Sequence, residues 1–278
     1  MNDGGTGTLY IVSTPIGNMG DFSFRAVETL RSVDLVLAED TRHSGQLLKR
    51  YEISAKMMAY HEHNEAKATP GLVARMVAGE TMALITDAGT PILSDPGARL
   101  AITAIAAGIL VVPIPGASAL LSALVVSGLP AERFTFFGFL PRSGRDRHAA
   151  IAELTELEHT ALLYEAPGRV ADTLAEIETA GGGNRRAAVA REMTKQFEET
   201  RRGTVAELRT YYKDNPPRGE VVIVLGGAPE RVVGEAEILE RVRALREQGM
   251  SAKDTAAAVA KELGVSRRVA YQLTQEPK

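Results

Sequence analysis

Short apolar runs rich in β-formers alternate with helix-length segments along most of this chain. That alternation constrains the fold more than any other feature. Runs at 9–13, 35–38, 82–85, 110–113, 135–137, 161–164, 187–190 and 221–225 have strand length and composition. Between several of them lie helix-length segments, at 24–31, 44–51, 69–78, 95–107, 147–157, 169–179 and 205–212. Such alternation predicts an α/β architecture with largely parallel sheets. The runs outnumber the roughly four to six strands of a common open sheet, so two sheets are expected. The turn Pro113-Ile114-Pro115-Gly116 separates them, and Gly226-Gly227-Ala228-Pro229 closes the second. The expected division is 8–115, 116–229 and a last module, 230–278.

That last module carries no strand pattern. Ile238, Val242 and Leu245 fall on one helical face. Ser251 with Asp254 reads as a capped start, and Ala256, Val259 and Leu263 follow at helical spacing. Gly264 ends that helix, and Ser266 caps another running through Gln272. Helix, glycine turn, helix resembles a helix-turn-helix. Arg267 and Arg268, early in its second helix, suit either nucleic-acid contact or plain solvation.

Composition narrows the function. The 278 residues include no Cys, which removes disulfides, thiolate metal sites and a Cys nucleophile, and suits a reducing compartment. A net charge of −3 gives no global field for nucleic acid, while 32 Lys and Arg leave room for a local basic face. The charge-free stretch 100–131 is cut by Gly108, Pro113, Pro115, Gly116 and Gly128. A membrane span needs about 20 predominantly apolar residues in one helix, so no membrane partner is expected. Residues 1–5 lack a basic region followed by an apolar core, and the expected location is cytoplasmic.

Chemistry concentrates where the strand runs end. Residues 86–97 (Thr-Asp-Ala-Gly-Thr-Pro-Ile-Leu-Ser-Asp-Pro-Gly) are too rich in Asp, Gly, Thr and Pro for a plain connector. They occupy a strand-to-helix crossing, where open α/β sheets bind ligands. Their end, 94–97, reads as a capped, proline-started helix. Residues 14–21 contain Gly17 and Gly20, and 39–44 are an unbroken ionisable or hydroxyl run of which capping explains only one or two. His61-Glu62-His63 lacks the helical spacing and third ligand of a metal site, so no metal is expected. Stretches 164–169 and 191–199 each follow a strand and join acids to Arg or Lys. Gly5-Thr6-Gly7 has Tyr10 where a dinucleotide fingerprint needs glycine, and no phosphate loop is present.

Taken in order, these motifs resemble the tetrapyrrole methylase superfamily, the class III S-adenosylmethionine-dependent methyltransferases. Within it they resemble the branch acting on small-subunit ribosomal RNA. The resemblance rests on 9–21, 38–43, 61–65, 86–97, 112–119, Gly138-Phe139-Leu140-Pro141, 164–169, 191–199 and Arg218-Gly219-Glu220. Departures are Ala117, Gly168 and Met193, where Pro, His and Leu are common.

The resemblance implies two α/β domains with S-adenosyl-L-methionine between them, plus the helix-turn-helix-like module, in a homodimer. It implies 2′-O-methylation of a cytidine ribose in 16S rRNA, on the assembled small subunit. Asp87 and backbone groups of Gly89, Thr90 and Ile92 would hold the methionine part of the cofactor. Ser118, Ala119 and Tyr164 would contact its other parts, and Pro15 would wall the pocket. Asp40, His43, Glu165 and Lys195 are catalytic candidates for taking the ribose proton. Arg42, Arg169, Arg191, Arg267 and Arg268 would meet RNA, as would Lys195 and a cluster of Arg142, Arg145 and Arg147. Two other readings stay open: a tetrapyrrole C-methyltransferase, and a ligand-sensing regulator with nucleic-acid-binding helices.

Overall fold

In the computed structural model, which describes residues 5–229 and 234–275, the apolar runs become two five-stranded sheets. The first holds β1 (Thr8–Val12), β2 (Leu35–Ala38), β3 (Met57–Ala59), β4 (Met82–Ile85) and β5 (Leu110–Ile114). Their order is β3-β2-β4-β1-β5, with every pair parallel. Helices α1 (Phe24–Ser32), α2 (Thr41–Arg50), α3 (Glu65–Val77) and α4 (Ala98–Ala106) complete this half. Successive side chains go to opposite faces: Val36 and Ala38 pack with Leu30 and Leu47, Leu35 and Leu37 with Leu72, Met76 and Leu100. Burial on both faces is why these strands read as continuous apolar runs. Pro113 is tolerated because β5 is an edge strand.

The second sheet holds β6 (Phe134–Phe139), β7 (Thr160–Glu165), β8 (Arg186–Arg191), β9 (Glu199–Thr204) and β10 (Val221–Leu225), ordered β6-β7-β10-β8-β9. Only β6 and β7 pair in parallel; the other three pairs are antiparallel. This departs from the expected parallel sheets for a geometric reason. The segment joining β8 to β9 is too short for the crossover of a dozen or more residues that a parallel pair needs. Helix α5 (Ala119–Ser127) covers one face through Leu120, Ala123 and Leu124. Helices α6 (Gly144–Glu156), α7 (Val170–Ile177) and α8 (Val205–Asp214) cover the other.

Residues 1–228 cluster as one unit and 229–278 as a second. The second contains α9 (Glu235–Glu247), α10 (Ala252–Leu263) and α11 (Arg267–Leu273) around Ile238, Val242, Leu245, Ala256, Val259, Ala270 and Leu273. Ser251 caps α10 by accepting the Asp254 N–H, Gly264 is left-handed, and Ser266 caps α11 by accepting the Val269 N–H. Among the described residues no helix is long and apolar enough to cross a membrane. Residues 1–4, where a secretory signal was sought, lie outside the described residues.

One local expectation is corrected. The helix after 86–97 does not start near Asp95; it starts at Ala98, with Gly97 as N-cap and no side-chain cap bond. Ile92 (φ 80°) and Ser94 (φ 66°) adopt left-handed backbone, so the chain turns again before the helix. Asp95 is thereby released from capping.

Candidate active site

The carboxyl ends of β2, β4 and β7, with the start of β10, border a cavity of about 440 Å³. That size suits a small-molecule or cofactor site. Its lining comes from Ile16, Glu39, 86–90, 93–95, Ser118, Ala119, Phe139, 164–167, Met193 and 219–222. The 86–90 loop is pinned from below. Thr14 exchanges both backbone hydrogen bonds with Gly89, and its hydroxyl donates to Thr86 O at 3.0 Å. Thr90 Oγ1 lies 3.1 Å from Ser13 Oγ and donates to Ala117 O.

Among the described residues five carboxylates line the cavity, from Glu39, Asp87, Asp95, Glu165 and Glu220, and no Lys, Arg or His does. Thr86 donates to Glu39 Oε2 at 2.9 Å, and the Asp40 N–H donates to Asp87 Oδ1 at 3.2 Å. Burial pushes the Asp95 carboxyl up to about 6; a Thr86 hydrogen bond opposes this and the Glu39 and Asp87 charges add to it. Of the five, Glu39, Asp87 and Asp95 have no cation beside them among the described residues, and their field favours a ligand with net positive charge.

The opposite wall is neutralised. Glu165 is buried and accepts from Thr173 Oγ1 and the Ala166 N–H, with Arg169 Nε 3.6 Å and Arg147 Nη1 3.9 Å away. Lys195 Nζ bridges Glu192 and Glu220, each at 3.0 Å. Burial opposes the ammonium, but the two carboxylates hold its pKa above the ordinary lysine value. The Lys195 stem lies where a side chain at Gly17 would have to go, which ties the β1 loop to this wall.

The cavity gathers Asp87, Gly89, Thr90, Ser118, Ala119, Tyr164 and Glu165 of the expected site residues. Gly89 contributes bare Cα, since Thr14 takes both of its backbone groups. The Ile92 side chain packs against the core, and Pro15 is buried and outside the lining. Asp40 caps α2 through the Arg42 N–H, and this bond holds its carboxyl below the usual range. His43 is exposed on α2, and His43, Asp40 and Lys195 all lie outside the lining. Arg42 is exposed, and Arg191 pairs with Glu199 at 2.9 Å. Arg169 donates to Pro141 O and Arg142 O. Arg267 and Arg268 are exposed on α11, in the second unit.

Arg147 does not belong with a basic surface. It is buried, bonded to Glu176, Thr173 and Pro141 O. Arg142 and Arg145 remain exposed. Among the described residues no three His, Cys, Asp or Glu side chains gather as metal ligands.

Asp95, Glu39, Phe139 and Met193 escaped sequence reasoning as individual site residues. The backbone gives a signal for Met193 and for Leu93. Among the described residues five non-glycines have positive φ, and four flank this cavity: Ile92, Ser94, Glu192 and Thr194. The residue between each pair, Leu93 and Met193, lines the cavity. Strained backbone clusters at functional sites.

Residues 8–209 match the family described as tetrapyrrole (corrin/porphyrin) methylases. A relative from Synechocystis sp. named ribosomal RNA small subunit methyltransferase I is 44% identical, covering 97% of this chain and 98% of its own. One of the same name from Xylella fastidiosa is 43% identical, covering 95% and 98%. The fold is similar to that of uroporphyrin-III C-methyl transferase from Thermus thermophilus, complexed with S-adenyl homocysteine. There the TM-score is 0.55 and the identity 17%, over 79% of this chain and 97% of that one.

Proposed function

The chain belongs to the tetrapyrrole methylase family, within the ribosomal RNA small subunit methyltransferase I group, and on that premise we propose that it methylates small-subunit rRNA. The methyl donor is S-adenosylmethionine. The acceptor is the 2′-hydroxyl of a cytidine ribose in 16S rRNA, reached on the assembled small subunit in the cytoplasm. The observation that carries this reading is the near full-length similarity to proteins of that name, which includes the terminal helices. The cavity adds physical support. Three acids in its lining, Glu39, Asp87 and Asp95, have no cation beside them among the described residues, which suits a donor with net positive charge. The regulator reading explains neither this lining nor the strained loops around it.

When bound, S-adenosylmethionine supplies a methyl group activated on a positive sulfur. Asp87, whose Oδ2 is free, would hold the methionine end with the backbone of Thr90 and Ile92. Gly89 would let that end come close, with Pro15 behind it. Ser118 and Ala119, at the start of α5, and Tyr164 would hold the rest. Fixing the ribose oxygen in line with the methyl removes a large part of the barrier, roughly 7 to 11 kcal/mol for well-oriented groups.

A base near the ribose 2′-oxygen contributes about 10²- to 10⁴-fold. Asp95 is best matched to that role: it lines the cavity, and burial brings its pKa to about 6, near working pH. The earlier candidates fit less well. Glu165 is committed to Thr173, Arg147 and Arg169; Lys195 is held protonated; Asp40 is held as an anion by its cap; and His43 lies outside the lining.

Arg142, Arg145, Arg267 and Arg268 are exposed cations that can meet phosphate; Arg42, Arg169 and Arg191 reach it only by sharing their acidic partners. A second copy of the chain would cover the charge-free stretch 100–131. There Ile102, Ile105, Leu121 and Val125 are at least half exposed. Mapping 2′-O-methyl marks on small-subunit rRNA from cells with and without the protein tests the function. One cytidine mark is expected to disappear, and no lost mark would overturn the reading.

A further inference from the structure

We propose that Phe139 is a stacking platform for the nucleobase of the target nucleotide, a role that rests on the RNA reading above. The ring lines the cavity and yet is 61% exposed. It is placed there by a break in the β6 ladder. Phe136 pairs with Leu162, but Phe139 pairs with Tyr164, so β6 spends one residue more than β7 over the same distance. A bulge of this kind re-aims the side chain that follows it. Gly138 makes the kink at φ 63°, and a Cβ there would come within 3.0 Å of Ser94 Oγ in the pocket loop. Bulge and pocket loop are therefore fitted to each other.

The ring is supported from behind. Its centroid lies 5.4 Å from that of Tyr164, tilted by 55°, and Tyr164 in turn meets Phe136 edge-on at 4.9 Å. A braced aromatic ring with so much of its surface uncovered, beside an acidic cavity, offers a π-face and no cation. That recognises a planar base and leaves phosphate to the outlying arginines. Methylating a ribose oxygen inside the cavity requires the nucleotide to leave its stack, and splayed RNA bases rest on aromatic side chains.

The test is methyl transfer to small subunits isolated from cells lacking the protein, with wild type, Phe139→Ala and Phe139→Trp, alongside donor affinity by calorimetry. Phe139→Ala is expected to lower kcat/KM for the subunit about 5- to 150-fold, the range for one stacked base. Donor affinity should stay within about twofold of wild type, and Phe139→Trp should restore most of the loss. Thermal melting checks that the variants fold. An unchanged kcat/KM in an active background overturns the assignment and leaves the function standing. A matching loss of donor affinity also overturns it, because the ring would then hold the donor's adenine. A wild type that fails to methylate the subunit overturns the function and the stacking role together.

Discussion

The two walls of the cavity carry similar numbers of carboxylates and hold them in opposite ways. Glu39, Asp87 and Asp95, at the ends of β2 and β4 and in the loop beyond, meet only hydroxyl and backbone donors. Glu165 and Glu220, at the end of β7 and just before β10, meet Arg147, Arg169 and Lys195, and Glu192, outside the lining, shares Lys195. A carboxylate with its own cation is scaffold, and its field is cancelled locally. A carboxylate with only neutral partners keeps its field for whatever enters. The difference assigns binding and proton transfer to the first wall, and positioning to the second.

The largest expected effect tests the scaffold wall. Arg147→Met leaves the partly exposed Glu176 without its cation and the buried Glu165 with Arg169 alone. Breaking a buried pair this way costs about 3–5 kcal/mol, to be read from denaturant unfolding. Adding Glu165→Gln should recover part of the loss. A neutral Arg147→Met would mean that this wall is not held by charge compensation.

Next is Asp95→Asn on the open wall. It should lower kcat about a hundredfold and abolish the rise of activity with pH through about 6. Its stability effect has the opposite sign. A raised carboxyl pKa stabilises the fold while the group is neutral, below about 4, and that contribution is lost as pH rises through about 6. Asparagine stays neutral, so the variant should be more stable at pH 8 by about 1 kcal/mol after allowance for solvent screening. The gap should close toward pH 4. A variant less stable at pH 8 would remove Asp95 from the strained, functional class.

The smallest effect concerns binding alone. Asp87→Ala should weaken donor affinity about tenfold by calorimetry, the loss of one charge-assisted contact. Glu220→Gln, on the compensated wall, should weaken it less. Equal effects would erase the distinction between the walls.

Much of the fold could be read from the sequence because parallel, doubly covered strands leave dense apolar runs. Two strands were not legible. Residues 57–59 are too few to give a period, and β9 (Glu-Thr-Arg-Arg-Gly-Thr) is a polar edge strand with no apolar face to detect. Missing β9 also hid the reversal that makes the second sheet mixed. At the site, loop composition located the cavity, and individual roles stayed out of reach. Asp95 followed by Pro96 is the pattern of a helix start, and only the left-handed backbone at Ile92 and Ser94 moves it away from one. Arg147 sits in an arginine-rich stretch, and nothing local says that it alone turns inward.

The paired left-handed residues around Leu93 and Met193 have an energetic consequence. A non-glycine residue held at positive φ carries about 1–3 kcal/mol of strain and persists only where the packing around it over-determines it. The surroundings of both loops must therefore supply that energy when the chain folds. A cavity edge set in this way before its ligand arrives lowers the ordering cost of binding.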